Sequence, residues 1–241
     1  MFPKVSIVTI CYNAESNIGK TLDSMVMLKY TNFEVIIVDG GSKDGTLDLV
    51  NQYMSLLPIK IVSEPDNGIY DAMNKGINLS SGEWVIFMNA GDRFYTQDVL
   101  TDIFSKDLED YEVIAGQYYL EKEECICAPC SDINDVKFGH IITCHQAMFF
   151  NKPKLQRDIY YDLRYKVSAD NELMMRLVRN KYKINVVDDV VCFFEDGGIS
   201  SMKSRQGSVD KYKAIFRNFG LLFFIRVVLV NFLVKNFGFK L

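Results

Sequence analysis

Strand-like runs rich in Val and Ile alternate with helix-periodic segments through the first part of the chain. The strand-like runs are residues 4–11, 33–39, 59–64 and 83–89. The segments between them with apolar residues at helical spacing are 15–28, 46–57 and 69–79. Near-continuous apolar strands that alternate with helices indicate a parallel sheet covered on both faces. The sequence therefore predicts an α/β fold with a Rossmann-like, mostly parallel sheet.

The second part of the chain is less regular. Its helix-like segments are 96–106 and 169–180, its strand-like segments are 111–120, 143–151 and 184–196, and residues 121–140 are polar and irregular. No internal repeat or low-complexity linker divides the chain. We therefore expect one domain over 1–218, with an irregular region in its second half, and an apolar helix over 219–241.

Composition limits the classes of function. Of the 241 residues 49% are apolar, which excludes wholesale disorder. The net charge is −4 and no long basic run occurs, so nucleic acid is not an expected partner, because phosphate backbones require clustered Lys and Arg. No signal sequence is recognised ahead of the first strand, and we expect a cytoplasmic setting in which the six cysteines are reduced.

A cysteine-rich segment offers soft metal ligands. Cys125, Cys127 and Cys130 lie close together, and Cys144 and His145 follow them. A structural zinc is one interpretation, but the spacing is irregular and no second Cys-x-x-Cys pair completes the set. Free thiols in a loop are the favoured interpretation.

Polar residues follow each of the first four strand-like runs. Tyr12 and Asn13 follow the first, Asp39 the second, Asp66 the third and Asp92 the fourth. Each residue alone is typical of a turn or a helix cap. The carboxyl ends of parallel strands, however, meet at one edge of a sheet, which is where α/β proteins bind ligands. Together these residues predict a binding site at that edge.

The motifs at these positions resemble glycosyltransferase family 2, of bacterial surface-polysaccharide type, whose members have the GT-A type fold. The matching segments are VSIVTICYN, VDGGSKDGT, SEPDNGIYDAMNKGI, FMNAGD, HQAMFF and SADNELMMRL. They occur in the family's order and spacing from residue 4 to about residue 200. One of these segments alone would be weak evidence, whereas the combination is specific.

The resemblance implies a set of site residues. The nucleotide-sugar site would comprise Tyr12, Asp39, Asp66, Gly91, Asp92 and His145. Tyr12 would stack on the nucleobase, Asp39 would accept from its imino group, and Asp92 would bind Mn²⁺ or Mg²⁺. Asp170 matches the catalytic base. Gly91 is a departure, because a second acidic residue often stands there; water or Asn89 is the alternative ligand.

Other polar residues have two interpretations each. His145 is either a phosphate or acceptor contact or a core histidine. Glu195 and Asp196 are either late metal or phosphate ligands or turn residues before two glycines. Lys75 is either a phosphate contact or a solvated helix charge.

The family implies an inverting, metal-dependent glycosyltransferase that uses a nucleotide-diphospho-sugar. A UDP-sugar is the expected donor, with dTDP- and GDP-sugars as alternatives, and the expected acceptor is a saccharide or a lipid-linked saccharide. One rival is a sugar nucleotidyltransferase, although the segment ICYNAESN lacks the Gly and Arg of a triphosphate loop. The other rival is a non-catalytic nucleotide-sugar-binding protein.

The C-terminal segment 219–241 is the most apolar in the chain, but Arg226, Asn231 and Lys235 interrupt it. A spanning helix requires about 20 predominantly apolar residues. An interfacial helix on the inner face of the cell membrane is therefore favoured over a spanning one. Packing on the domain or on a second subunit is the alternative, which leaves a homo-oligomer open.

Overall fold

A computed structural model describes residues 2–195 and 205–237 of the chain. Its strands are β1 (Val5–Cys11), β2 (Phe33–Asp39), β3 (Ile59–Ser63), β4 (Trp84–Phe87), β5 (Arg93–Phe94), β6 (Val113–Leu120), β7 (Cys125–Cys127), β8 (Met148–Asn151) and β9 (Ile184–Phe194). Its α-helices are α1 (Glu15–Val26), α2 (Thr46–Gln52), α3 (Ile69–Leu79), α4 (Val99–Phe104), α5 (Lys152–Leu155), α6 (Ala169–Arg179) and α7 (Arg205–Phe237). Short 3₁₀ turns cover Glu121–Glu123, Ile133–Phe138, His145–Ala147 and Gln156–Ile159.

The first four strands form the parallel part of the sheet. In the described residues the strand order is β3-β2-β1-β4-β8-β6-β9-β5, and β7 pairs with β6. β1 runs parallel to both β2 and β4, and β2 runs parallel to β3. The predicted α/β fold class is therefore confirmed, and the carboxyl ends of these four strands share one edge.

The later strands bring further residues to the same edge. β8 is antiparallel to β4, with Trp84 opposite Asn151, so the start of β8 lies beside the end of β4. β6 is antiparallel to β8, and β9 is parallel to β6, so β9 ends at that edge too. The residues just before β8 and just after β9 therefore meet those that follow β1 to β4.

Helices cover both faces of the sheet, as the strand pattern predicts. Alternate residues of one strand separate onto the two faces: Val8 and Ile36 pack toward α3 and α6, whereas Ile7 and Ile37 pack toward α1 and α2. Met73 of α3 is fully buried in the core on the same face of the sheet as Val8 and Ile36. Burial on both faces explains why these strands lack polar alternation.

Several predicted segments differ from the structure. Residues 143–151 are not one strand, because a 3₁₀ turn at His145–Ala147 precedes β8. The helix predicted over 46–57 ends at Gln52, and the one predicted over 96–106 is the shorter α4. The strand β5 was not predicted. Asp196 lies outside the described residues.

The C-terminal helix begins before the predicted boundary at residue 219. α7 starts at Arg205 and is broken at Gly220, whose φ is +83°. Its first part packs on α6, and the buried side chains of Ala214 and Ile215 belong to the same core layer as α6. Glycine tolerates this backbone conformation, and the break separates two helical segments.

Candidate active site

A cleft of about 800 Å³ opens over the carboxyl edge of the sheet. Residues that follow strands line it: Tyr12 after β1, Gly40 after β2, Asp66 after β3, and Asn89 and Asp92 after β4. His145 and Gln146 line it from before β8, and Glu195 from after β9. The structure thus brings four of the predicted site residues into one cleft, whereas Asp39, Gly91 and Asp170 are not among its lining residues.

One end of the cleft is a slot between an aromatic ring and a carboxylate. Tyr12 is 62% exposed and lies beside Gly40. A Cβ atom on Gly40 would lie 2.7 Å from Asp66 Oδ2 and 3.3 Å from Tyr12 Cδ2. Only glycine therefore allows both side chains to approach this wall. An aromatic face next to a hydrogen-bond acceptor suits a flat polar ring.

Asp39 organises the turn behind this slot. Its side chain is fully buried and accepts from Gly41 N (3.1 Å), Ser42 N (3.0 Å), Ser63 Oγ (2.6 Å) and the Ser42 hydroxyl. Burial opposes ionisation, but the hydrogen bonds from Ser42 and Ser63 outweigh it and lower the pKa of Asp39. The contact of Asp39 with a nucleobase stays a prediction.

The loops after β1 and β2 are tied together. Asn13, with φ at +47°, donates from its backbone N to Ser42 Oγ and accepts at Oδ1 from Lys43 N, both at 2.8 Å. Asn tolerates the left-handed region better than most residues. Tyr12 therefore lies on a loop that hydrogen bonds hold to the loop after β2.

Asp92 lies after β4, which is separated from β3 and its Asp66 by β2 and β1 along the edge of the sheet. Asp92 is 5% exposed and accepts from Gln146 Nε2 at 2.8 Å and from Glu195 N at 3.0 Å. Burial raises the pKa of Asp92 to about 6, because these neutral donors do not replace the water that the carboxylate loses. The neighbouring Glu195 side chain forms an ion pair with Lys20 at 3.0 Å. Among the described residues, no Lys or Arg lies at hydrogen-bond distance from the Asp92 carboxylate.

Gly91 has a structural reason to be glycine. Its φ is +111°, and an added Cβ would lie 2.5 Å from Glu195 Oε2. Its N–H donates to Thr21 Oγ1 at 2.9 Å, away from the lining residues. The place of a second acidic side chain at residue 91 is therefore filled by the carboxylate of Glu195.

His145 contributes a neutral imidazole to the cleft floor. Burial lowers the pKa of His145 to about 4, and its Nε2 accepts from Asn89 Nδ2 at 3.0 Å. The Oδ1 atom of Asn89 and the Oε1 atom of Gln146 are buried without a hydrogen-bond partner. Buried polar atoms of this kind require a partner, which a ligand can supply.

The residues around Asp92 fit a hard divalent cation. No group of three or more His, Cys, Asp or Glu side chains is arranged for a metal within residues 2–195 and 205–237, which also leaves the zinc interpretation without support. Mg²⁺ and Mn²⁺, however, commonly use one or two carboxylates together with substrate phosphates. Asp92 and the free amide oxygens of Asn89 and Gln146 supply oxygen ligands of this type.

Asp170 is the second residue of α6 and is half-buried. Its Oδ1 lies 3.2 Å from the Tyr70 hydroxyl and accepts from Asn171 N at 2.8 Å. Burial raises the pKa of Asp170, which makes this carboxylate a stronger base than an exposed aspartate. The preceding turn is fixed by the buried carboxylate of Asp210, which accepts from Val167 N at 3.1 Å.

Some residues were missed or left open by the sequence. Gln146 and Tyr70 were not predicted as site residues, although both lie within the matching segments HQAMFF and SEPDNGIYDAMNKGI, which is the signal that could have found them. Lys75 pairs with Glu64 at 2.8 Å and donates to Pro65 O at 3.0 Å, so the structure shows it in an ion pair.

The α/β fold is of the GT-A type, similar to that of S. aureus TarS. The chain belongs to glycosyl transferase family 2, whose model matches residues 6–126. This membership confirms the resemblance predicted from the motifs.

Relatives of known sequence cover most of the chain. It is 31% identical over 205 residues to a PGL/p-HBAD biosynthesis glycosyltransferase of Mycobacterium tuberculosis, with 83% of this chain and 80% of the relative covered. It is 27% identical over 138 residues to the Escherichia coli UDP-Glc:alpha-D-GlcNAc-diphosphoundecaprenol beta-1,3-glucosyltransferase WfaP, with 57% and 55% covered.

Solved structures share the fold. S. aureus TarS 1-349 in complex with UDP-GlcNAc superposes with a TM-score of 0.75 at 21% identity, over 98% of this chain and 73% of TarS. The mannosyltransferase PcManGT of Pyrobaculum calidifontis, in complex with GDP-Man and Mn²⁺, gives a TM-score of 0.69 at 17% identity, over 99% and 71%. At these identities the likeness concerns the fold alone.

Proposed function

We propose that this chain is an inverting, metal-dependent glycosyltransferase that moves a sugar from a UDP-sugar to a saccharide or a lipid-linked saccharide. The observation that carries the proposal is the division of one cleft between two chemistries. The slot between Tyr12 and Asp66 suits a nucleobase, and the buried carboxylate of Asp92 lies after β4, farther along the edge of the sheet from Asp66. A nucleotide sugar has the same order of groups, with a base at one end and a diphosphate toward the other.

Names of related proteins support the choice of donor and acceptor. TarS was solved with UDP-GlcNAc, and WfaP is named for transfer from UDP-Glc to a diphosphoundecaprenol-linked GlcNAc. WfaP shares only about half of its length with this chain. Both names describe those proteins and make a UDP-sugar the first donor to test here.

The residues around Asp92 would hold the cation. Asp92, Asn89 and Gln146 are the candidate ligands, and a bound divalent cation would stabilise the charge of the departing diphosphate. Gln146 Nε2 and the backbone of Glu195 hold Asp92 in place, so little reorganisation is needed on binding. The neutral His145, which accepts from Asn89, adds no charge to the site.

Asp170 acts as the base in this proposal. The acceptor oxygen attacks the anomeric carbon, and its proton passes to the Asp170 carboxylate. The bond from that carbon to the diphosphate oxygen breaks on the opposite side, the nucleoside diphosphate leaves, and the anomeric configuration inverts. The Tyr70 hydroxyl, whose one proton is shared between Val167 O at 2.9 Å and Asp170 Oδ1 at 3.2 Å, lies against the Asp170 carboxyl, and the raised pKa of Asp170 favours proton uptake.

The test is a panel of nucleotide sugars with Mn²⁺, read first by thermal denaturation and then by release of nucleoside diphosphate. A ligand at 100 times its Kd stabilises the native state by about 2.7 kcal/mol, which corresponds to about 5–11 °C for a chain of this size. We expect UDP-sugars to give the largest shift and UDP to be released only when acceptor is present. Stabilisation without any transfer to saccharide or lipid-linked acceptors would favour the non-catalytic binding protein. Release of pyrophosphate from a nucleoside triphosphate and a sugar phosphate would indicate the nucleotidyltransferase.

A further inference from the structure

The second segment of α7, after the break at Gly220, has two apolar faces. Its inner face packs on the domain: Val227 is fully buried, and the Phe223 ring lies 5.3 Å from the Phe138 ring between centroids. Phe224 packs edge-on against Phe216 and Tyr212. This face is accounted for by the protein itself.

The outer face of the same segment is exposed. Its large apolar side chains, with their exposed fractions, are Leu221 (57%), Leu222 (85%), Ile225 (45%), Val228 (40%) and Leu229 (55%). Spacings of three, four and seven residues place them along one side of the helix. Contiguous exposed apolar stripes of this kind mark a surface that another molecule covers.

Charge identifies the chemistry of that molecule. Residues 211–241 contain six of the chain's 27 Lys and Arg residues and none of its 31 Asp and Glu residues, so the preceding 210 residues carry a net charge of −10 and the tail +6. An apolar stripe in a purely basic segment suits an anionic lipid surface, which attracts Lys and Arg. An acidic protein surface would account for the basic residues of this segment, but it would not account for the exposed apolar stripe.

A second copy of the chain fits this surface less well. A two-fold symmetric dimer through the stripe would bring the same residues of both copies together. Arg226 is exposed beside the stripe, and the tail offers no acidic residue to pair with it in the other copy. Like charges facing one another would oppose such an interface.

The inner contacts also distinguish lying on a membrane from crossing one. By length and composition alone, the 28 residues Arg205–Phe232 are apolar enough to span a bilayer. The buried Val227 and the packed Phe223, however, keep the helix against the domain along its inner side. We propose that the outer face of residues 221–229 binds the surface of an anionic lipid bilayer and holds the domain there as a peripheral protein.

The experiment is vesicle flotation of the full chain, which requires no transferase activity. Vesicles of phosphatidylcholine alone are compared with vesicles that also contain phosphatidylglycerol. We expect flotation with the anionic vesicles and much less with the neutral ones. The double variant Leu222→Ser, Leu229→Ser should reduce the partition coefficient by at least about tenfold, because two exposed leucines no longer enter the lipid.

A matched control separates this surface from general hydrophobicity. Met27 and Leu56 are each 63% exposed and lie by helices on the opposite face of the sheet. The double variant Met27→Ser, Leu56→Ser should float like the wild type, and all variants should keep the wild-type melting temperature. Equal flotation of wild type and the Leu222, Leu229 variant, or absence of flotation on anionic vesicles, overturns the proposal. A lipid-free dimer that this variant converts to monomers, by light scattering, would assign the surface to a second copy instead.

Discussion

Alanine at Gly91 tests whether the Glu195 carboxylate occupies the space that a side chain at residue 91 would need. Gly91 has φ at +111°, and its Cβ would lie 2.5 Å from Glu195 Oε2. Backbone strain at such an angle costs about 1–3 kcal/mol for a non-glycine residue. The Glu195 side chain must also move, which breaks its ion pair with Lys20. That pair is partly exposed and contributes about 0–1 kcal/mol.

Gly68 provides the matched control for this variant. Its φ is +110°, and a Cβ there would meet nothing within 4 Å. Gly68→Ala should therefore carry the backbone strain without the contact. We expect Gly91→Ala to melt about 2–4 °C below Gly68→Ala, which corresponds to about 1 kcal/mol in a chain of this size. Calorimetry on both variants measures the difference.

The same pair of variants in a Glu195→Ala background completes a double-mutant cycle. Removal of the Glu195 carboxylate should abolish the additional destabilisation of Gly91→Ala, because only the shared backbone strain remains. If Gly91→Ala and Gly68→Ala melt alike, or if the difference persists without the carboxylate, Glu195 does not occupy the space above Gly91. The inference that the Glu195 carboxylate takes the place of an acidic side chain at residue 91 would then be wrong.

Three further predictions concern the predicted aspartates. The affinity for Mn²⁺, measured with UDP present, should weaken as the pH falls through about 6, because Asp92 becomes protonated there. The variant Asp92→Asn should bind Mn²⁺ weakly at every pH. Wild-type affinity for Mn²⁺ in that variant would show that Asp92 is not a metal ligand. The variant Asp170→Asn should lower the rate of transfer by at least about 10²-fold and leave the affinity for UDP unchanged. In the wild type, the rate should fall on the acidic side at a pH above the ordinary pKa of aspartate. Loss of UDP binding in the variant would make Asp170 a structural or binding residue instead. Asp39→Ala should raise the donor KM and lower the melting temperature, because buried donors lose their acceptor; calorimetry showing unchanged UDP affinity would exclude Asp39 from a binding role.

The first part of the fold could be predicted because its signals are local. The strand predicted over 33–39 matches β2, and the helix predicted over 69–79 matches α3. Each pattern depends on residues a few positions apart. The directions of β8 and β9 depend instead on distant pairs, such as Ala115 with Met148 and with Val186. No spacing within the sequence encodes such pairings.

The candidate site shows the same division. Tyr12, Asp66 and Asp92 follow strands whose ends could be located from the sequence, so their meeting in one cleft could be expected. Gln146 reaches Asp92 only because β8 runs antiparallel to β4. Glu195 reaches Asp92 only because β9 ends at the same edge. These two residues hold the predicted metal ligand, and they depend on the pairings that the sequence leaves open.

Three aspartates, one at the end of β2, one after β4 and one in the first turn of α6, acquire different chemistry from their surroundings. Asp39 is buried among four donors that lower its pKa, so it stays a charged anchor for a turn. Asp92 is buried with two neutral donors, and burial raises its pKa to about 6. Neither donor carries the positive charge that would stabilise its ionised carboxylate. Asp170 is half-buried beside a tyrosine hydroxyl, and its raised pKa favours proton uptake. Environments that separate the pKa values of like groups are how proteins assign an anchor, a cation ligand and a base. Asp39 accepts from four donors and its pKa is lowered, whereas Asp92 and Asp170 accept from no more than two each and their pKa values are raised. The number of donors, set by which loops and strands meet, therefore separates the anchor from the proposed cation ligand and the proposed base.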